Sequence, residues 1–156
     1  MDITIDVGGY KLNVRAGVVI IHNNKILLHR NVNSDHYAMI GGRVEIGENS
    51  EHTIKREVQE ETGLKLLSYK LRGLITFVSN QCEPEMMCLF TADKFEGQIT
   101  SCDEGDLMWV PKKDVLQLPT WEGDAVFLKL LLDNEEKFFT LKLIYEDEKL
   151  VKKNIQ

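Results

Sequence analysis

A chain of 156 residues with a formal net charge of −6, 43% hydrophobic and 28% charged residues, is long enough for one well-packed domain and short for two. That composition excludes wholesale disorder. The acidic balance, without any Lys/Arg run, excludes non-specific attachment to a nucleic-acid polymer or an anionic membrane.

The first residues, "MDITIDVGGYK", are acidic and alternating where a signal peptide would be basic and then apolar, and no apolar run nears the ~20 residues of a membrane span. Residues 2 to 6 and "YKLNVRAGVVII" read as strands around a Gly8-Gly9 turn, and "KILLHR" follows across an Asn23-Asn24 hairpin. From Ser50 to Thr62 there is neither Gly nor Pro; with Ser50 as N-cap and Gly63 as left-handed C-cap, the spacing predicts a helix of about three turns. "KLLSYKLRGLITFVS", "EMMCLFTADKF" and "DLMWV" read as further strands. "GDAVFLKLLLDN" reads as a second helix, with Val126, Phe127, Leu130 and Leu131 at helical spacing, and "FFTLKLIYEDEKLV" as a closing strand and hairpin. The order predicts an α+β or α/β sheet protein of one domain spanning 1–156. Cys82, Cys88 and Cys102 are odd in number and lack zinc-site spacing. They read as small, reduced, largely apolar side chains in or near strands of a cytoplasmic protein.

The chemistry concentrates in "GRVEIGENSEHTIKREVQEETGL", residues 42 to 64, which holds six glutamates. At roughly 100° per residue, Glu57, Glu60 and Glu61 share about a 100° arc bordering Ile54 and Val58. Spacing offers ion pairs for some of these charges: Glu51 with Lys55, Arg56 with Glu60, Glu61 with Lys65. Glu57 has at three and four residues only Thr53, Ile54, Glu60 and Glu61, so it meets like charges and no cation. Two readings stay open, a solvated acidic face and a site for a hard divalent cation such as Mg²⁺, which takes clustered carboxylates and shares them with substrate phosphates. Gly41-Gly42, ahead of the helix, give a backbone that a ligand can approach closely.

From Gly42 the stretch runs Gly, five residues, Glu48, seven residues, Arg56-Glu57-Val58, one residue, Glu60-Glu61, one residue, Gly63-Leu64: nine fixed positions in 23 residues. It resembles the signature of the Nudix hydrolases. The resemblance implies a mixed β-sheet sandwiched between α-helices, and a Mg²⁺-dependent hydrolase of nucleoside diphosphates linked to another moiety, with Mn²⁺ the expected substitute. It implies Glu57, Glu60 and Glu61 as metal ligands joined by the Gly41 carbonyl, Glu48 as the partner that orients Arg56, and water attack on a phosphorus with a carboxylate as base. Arg43 is then a candidate phosphate contact or an ordinary exposed loop arginine. Two departures stand out: His52 and Thr53 replace the small residues common in relatives, and "MIGG" lacks the usual proline. His52 reads as a surface residue.

The C-terminal half, from "CDEGDLMWVPKK" onward, resembles the mutator-type branch that hydrolyses oxidised purine nucleoside triphosphates such as 8-oxo-dGTP. In that resemblance Glu104 is an extra carboxylate near the metals, and Trp121 and Asp124 stack on and hydrogen-bond a purine. The physical alternative is that "PTWEGD" is only a turn, Asp124 capping the following helix and Trp121 packing on it. The proline or tyrosine that marks ADP-ribose or dinucleoside-polyphosphate enzymes is missing from "TFVSNQC". Hydrolysis of ADP-ribose or a nucleotide sugar, and a non-catalytic nucleotide-binding module, remain the other readings. The partner expected is a small nucleotide; the sequence leaves the oligomeric state open, a homodimer included.

Overall fold

The computed structural model describes residues 1–100, 105–133 and 136–156, so Cys102 and Glu104 lie outside the described residues. In chain order the elements are β1 (Thr4–Val7), β2 (Tyr10–His22), β3 (Lys25–Asn31), β4 (Tyr37–Ala38), β5 (Ile40–Arg43), α1 (Ser50–Thr62), β6 (Lys65–Ser79), β7 (Glu85–Glu96), β8 (Gly105–Pro111), α2 (Glu122–Leu132), β9 (Phe139–Glu146) and β10 (Lys149–Ile155). The strands join in the order β10-β9-β6-β7-β2-β3-β4, with β1 and β5 also paired to β2 and β8 to β3. The sheet is mixed as expected: β2 with β7 and β6 with β9 are parallel, and the remaining pairs antiparallel.

The period of two along β2 places the helices. Val18 and Ile20 face one side and pack with Ile54 and Val58 of α1; Val19 faces the other and packs with Phe127, Leu128 and Leu131 of α2. Successive side chains of a strand point to opposite faces, so the two helices cover opposite faces of the sheet. The buried stripe of α2 is therefore Phe127, Leu128 and Leu131, while Val126 and Leu130, expected on that stripe, are only partly buried beside it.

The local signals hold with one shift of register. Asn23 and Asn24 turn the β2–β3 hairpin with φ of 50° and 62°, the left-handed pair a two-residue hairpin needs. Gly63 ends α1 at φ 80°. The N-cap of α1 is Asn49, not Ser50: its side chain accepts the amide of His52, and Ser50 is the first helical residue. Asn and Ser rank alike as N-caps, so residue preference leaves the choice between these neighbours open.

α2 begins differently. Trp121 stands at its N-cap without a capping side chain, and the phenol oxygen of Tyr145 on β9 accepts the Gly123 amide at 2.6 Å instead. A side chain at Gly123 would collide with that phenol. Asp124 is therefore not the cap of α2. Removing the acceptor with Tyr145→Phe is expected to cost about 1 kcal/mol, readable as a lowered urea midpoint with an unchanged m-value. An unchanged midpoint would mean that water caps the helix equally well.

Candidate active site

Arg56 organises the acidic helix. Its guanidinium donates to Glu48 at 2.7 and 3.0 Å, to Glu57 at 2.8 Å, to Glu60 at 3.5 Å and to the Arg43 carbonyl at 3.1 Å. The sequence expectation that Glu57 meets no cation is thus corrected. Spacing rules for helices consider partners three and four residues away, and a long arginine can curl back onto its immediate neighbour. Of the expected surface pairs Arg56 with Glu60 forms, whereas Lys65 reaches Glu96 and both Glu51 and Lys55 turn toward Tyr69. The Arg56 hydrogen bonds hold the Glu48 carboxyl down to about 2 and push the guanidinium further above its ordinary range. Buried Thr53 donates to Glu48 at 2.9 Å, which gives that departure from the family pattern a place in the network. His52 is exposed, as expected.

The glycine pair connects this helix to open space on the other side. Gly41 and Gly42 line a cleft of about 410 Å³ together with Arg15, Met39, Phe77, Met87, Trp121, Asp124 and Tyr145. A Cβ on Gly42 would overlap the Glu57 carboxylate, and one on Gly41 would meet the backbone of Ala16 and Gly17 at 2.6 and 2.8 Å. The pair is glycine because β5 lies flush against β2 and because the carboxylate fills the space of a side chain. Gly42→Ala is expected to displace Glu57 and lower kcat by on the order of 10²-fold, the cost of misplacing a reacting group by about an ångström. Steady-state kinetics beside a thermal melt check this; wild-type kcat in a folded variant would show that the carboxylate position does not matter.

Among the described residues no three acidic, His or Cys side chains converge as a ready-made cation cage. The donor set still fits a hard divalent cation. It supplies carboxylate oxygens along one helical face, with Glu57 15% exposed in the hollow left by Gly42 and Glu60 61% exposed above it. The guanidinium of Arg56 offsets part of that charge where the side chains stand here.

Trp121 and Asp124 line the same cleft. Burial pushes the Asp124 carboxyl up to about 7, against the opposing pull of the Arg15 charge. Near neutrality it is therefore a mixture of neutral acid, which both donates and accepts, and carboxylate, which only accepts. Arg15 itself pairs with Glu85 at 3.5 Å. Arg43 does not line the cleft and reaches Asp2 at 3.4 Å.

Sequence reasoning missed several residues of this cleft. Arg15 of β2, Phe77 of β6, Met87 of β7 and Tyr145 of β9 arrive on four strands, and only the sheet order brings them together. Cys82 and Cys88 are free thiols: Cys88 lies within β7, and Cys82 is exposed in the turn between β6 and β7, bordering the cleft. Glu148, on the β9–β10 turn, reaches the cleft rim through reciprocal hydrogen bonds between Asn80 and Asp147.

A mixed sheet between two helices, with a glutamate-rich helix behind a glycine pair and an aromatic, acidic cleft before it, defines a class that the comparisons make specific. The NUDIX domain family model matches residues 11–131. An uncharacterised Nudix hydrolase, YvcI, of Bacillus subtilis strain 168 is 30% identical over 122 residues, covering 75% of this chain and 77% of the relative. The oxidized purine nucleoside triphosphate hydrolase of Mus musculus is 28% identical over 124 residues, covering 76% and 79%. The crystal structure of a mutator MutT protein from Bacillus halodurans superimposes with a TM-score of 0.86 at 26% identity, over 92% of this chain and 97% of that one. The chain belongs to the Nudix hydrolase family, with MutT proteins as structural neighbours. It is an enzyme of the kind that acts on phosphorus-containing acid anhydrides, and such hydrolases generally use divalent metal ions and small nucleotide substrates. Among the described residues no helix is long and apolar enough to cross a membrane.

Proposed function

We propose that this protein is a Mg²⁺-dependent pyrophosphohydrolase of purine nucleoside triphosphates, oxidised ones such as 8-oxo-dGTP foremost, releasing the nucleoside monophosphate and pyrophosphate. The observation that supports it is that one cleft is lined both by the Gly41–Gly42 pair, which Glu57 backs, and by Trp121 and Asp124. A nucleotide laid along it has its phosphates at the glycines and its base at the indole. The protein works as one domain in the cytoplasm, on the free nucleotide.

In this reading Glu57, Glu60 and Glu61 hold the cation, with the Gly41 carbonyl and Glu104 completing the oxygen set. A bound Mg²⁺ supplies charge neutralisation for the phosphate chain and acidifies a water. The chain's own residues do the rest. Glu48 fixes Arg56, and Arg56 fixes the carboxylates of α1 at the glycine pair. In this reading Arg43, at the end of β5, exchanges its Asp2 partner for a phosphate oxygen. Water oxygen bonds to phosphorus, the phosphoanhydride P–O bond breaks toward pyrophosphate, and a site carboxylate takes the water's proton. Trp121 offers its face to the base, and Asp124 hydrogen-bonds the purine edge.

The test is kcat/KM with Mg²⁺ across 8-oxo-dGTP, the unmodified dNTPs, ADP-ribose, a nucleotide sugar and a dinucleoside polyphosphate. The proposal expects 8-oxo-dGTP to lead. A lead for ADP-ribose or the nucleotide sugar would overturn the substrate assignment and leave the hydrolase; no turnover of any would favour a binding module.

A further inference from the structure

We infer that His36 is a positioning residue for the base end of the cleft, holding the Trp121 indole as a fixed stacking surface; this rests on the reading of Trp121 given above. The two rings are 4.3 Å apart at centroid and 5° from parallel. Trp121 borders the cleft and His36 does not, so the imidazole backs the indole from outside the space a base would fill. The residues are far apart in sequence; Trp121 stands at the N-cap of α2, where its own side chain makes no capping hydrogen bond, and is 41% exposed.

The loop that delivers His36 is itself well tied. The Asn31 side chain accepts the Asn33 amide at 2.9 Å, the Ser34 hydroxyl accepts the His36 amide at 3.1 Å, and the Tyr37 amide donates to the Pro119 carbonyl at 2.8 Å. That last bond fastens the β3–β4 loop to the segment just before Trp121. The arrangement amounts to a two-layer platform, in which a half-buried imidazole restricts the rotamers of an exposed tryptophan before a base arrives. Such preorganisation lowers the ordering cost of binding and leaves the chemical step alone.

The experiment compares His36→Ala, His36→Phe and Trp121→Ala, reading KM and kcat for 8-oxo-dGTP. It also reads the emission anisotropy of Trp121 in a Trp109→Phe background, which removes the other of the chain's 2 tryptophans. His36→Ala is expected to raise KM about three- to tenfold, the scale of one aromatic stack, with kcat little changed and indole anisotropy lowered. His36→Phe, which keeps a flat ring, is expected to restore both. If Trp121→Ala raises KM while His36→Ala leaves it unchanged or lowers it, the positioning role is wrong and the base platform stands. The role is equally overturned if His36→Ala leaves the anisotropy of Trp121 unaltered. If Trp121→Ala itself leaves KM unchanged, the platform reading fails and this inference with it.

Discussion

Glu57→Gln is expected to lower kcat by on the order of 10³-fold while the protein stays folded. The amide keeps the shape that fills the hollow at Gly42 and removes the charge that a cation needs. The structure offers a competing account of the same residue: Glu57 receives a hydrogen bond from Arg56 at 2.8 Å, so its charge could serve only to neutralise a guanidinium. Two readouts separate these accounts. Arg56 keeps its two bonds to Glu48 when Glu57 changes, so the melting temperature should fall by only a few degrees, as for a loss of about 1 kcal/mol. Mn²⁺ binding, followed by electron paramagnetic resonance, should weaken strongly in the variant. If Mn²⁺ affinity and kcat are retained and only the melt moves, Glu57 is a structural partner of Arg56 and the cation lies elsewhere.

Asp124→Ala is expected to raise KM for a purine nucleotide by about 5- to 150-fold, the cost of leaving 1–3 kcal/mol of hydrogen bonding unmade at the base edge. Asp124→Asn should cost far less. Burial has pushed the carboxyl from 3.8 to about 7, and an asparagine copies the neutral acid in carrying both a donor and an acceptor. The sign with pH follows from the same cause. A bound base excludes more water, raises the carboxyl further and favours its neutral form, so wild-type KM should rise as pH climbs above about 7 and the Asn variant should lose that component. Stability should move in the same direction. With the folded value raised, the contribution of Asp124 is complete below about 3.8 and is lost as pH rises to about 7. At pH 8 the Asn variant should therefore melt higher than wild type. An Asn variant as weak in binding as the Ala variant, with no rise in the melt, would mean that the ionised carboxylate is the recognised form.

What the sequence made legible is local. A hairpin turned by two asparagines, a helix ended by Gly63 and a 23-residue signature are all written within a few turns of chain, where backbone preference and side-chain spacing decide the outcome. The errors came where a competing interaction was equally local but outside the usual spacing. Asn49 took the cap from Ser50, and Arg56 folded back onto its neighbour Glu57. The cleft was legible in part, since the family resemblance pointed to Trp121 and Asp124 while the residues alone left a turn and a cap equally open. Its remaining walls follow from strand order, which no short window encodes: Arg15 and Met87 are cross-strand partners in a parallel pair formed by strands separated in sequence by β3, β4, β5, α1 and β6. The same holds for the His36–Trp121 stack and for Tyr145 capping α2.

Product analysis of 8-oxo-dGTP turnover tests the central claim most directly, by resolving nucleotide and phosphate products with Mg²⁺ and again with the metal chelated. The account predicts 8-oxo-dGMP and pyrophosphate in equal amounts with Mg²⁺, and neither without it. Release of the diphosphate and orthophosphate, or turnover that survives chelation, would contradict it.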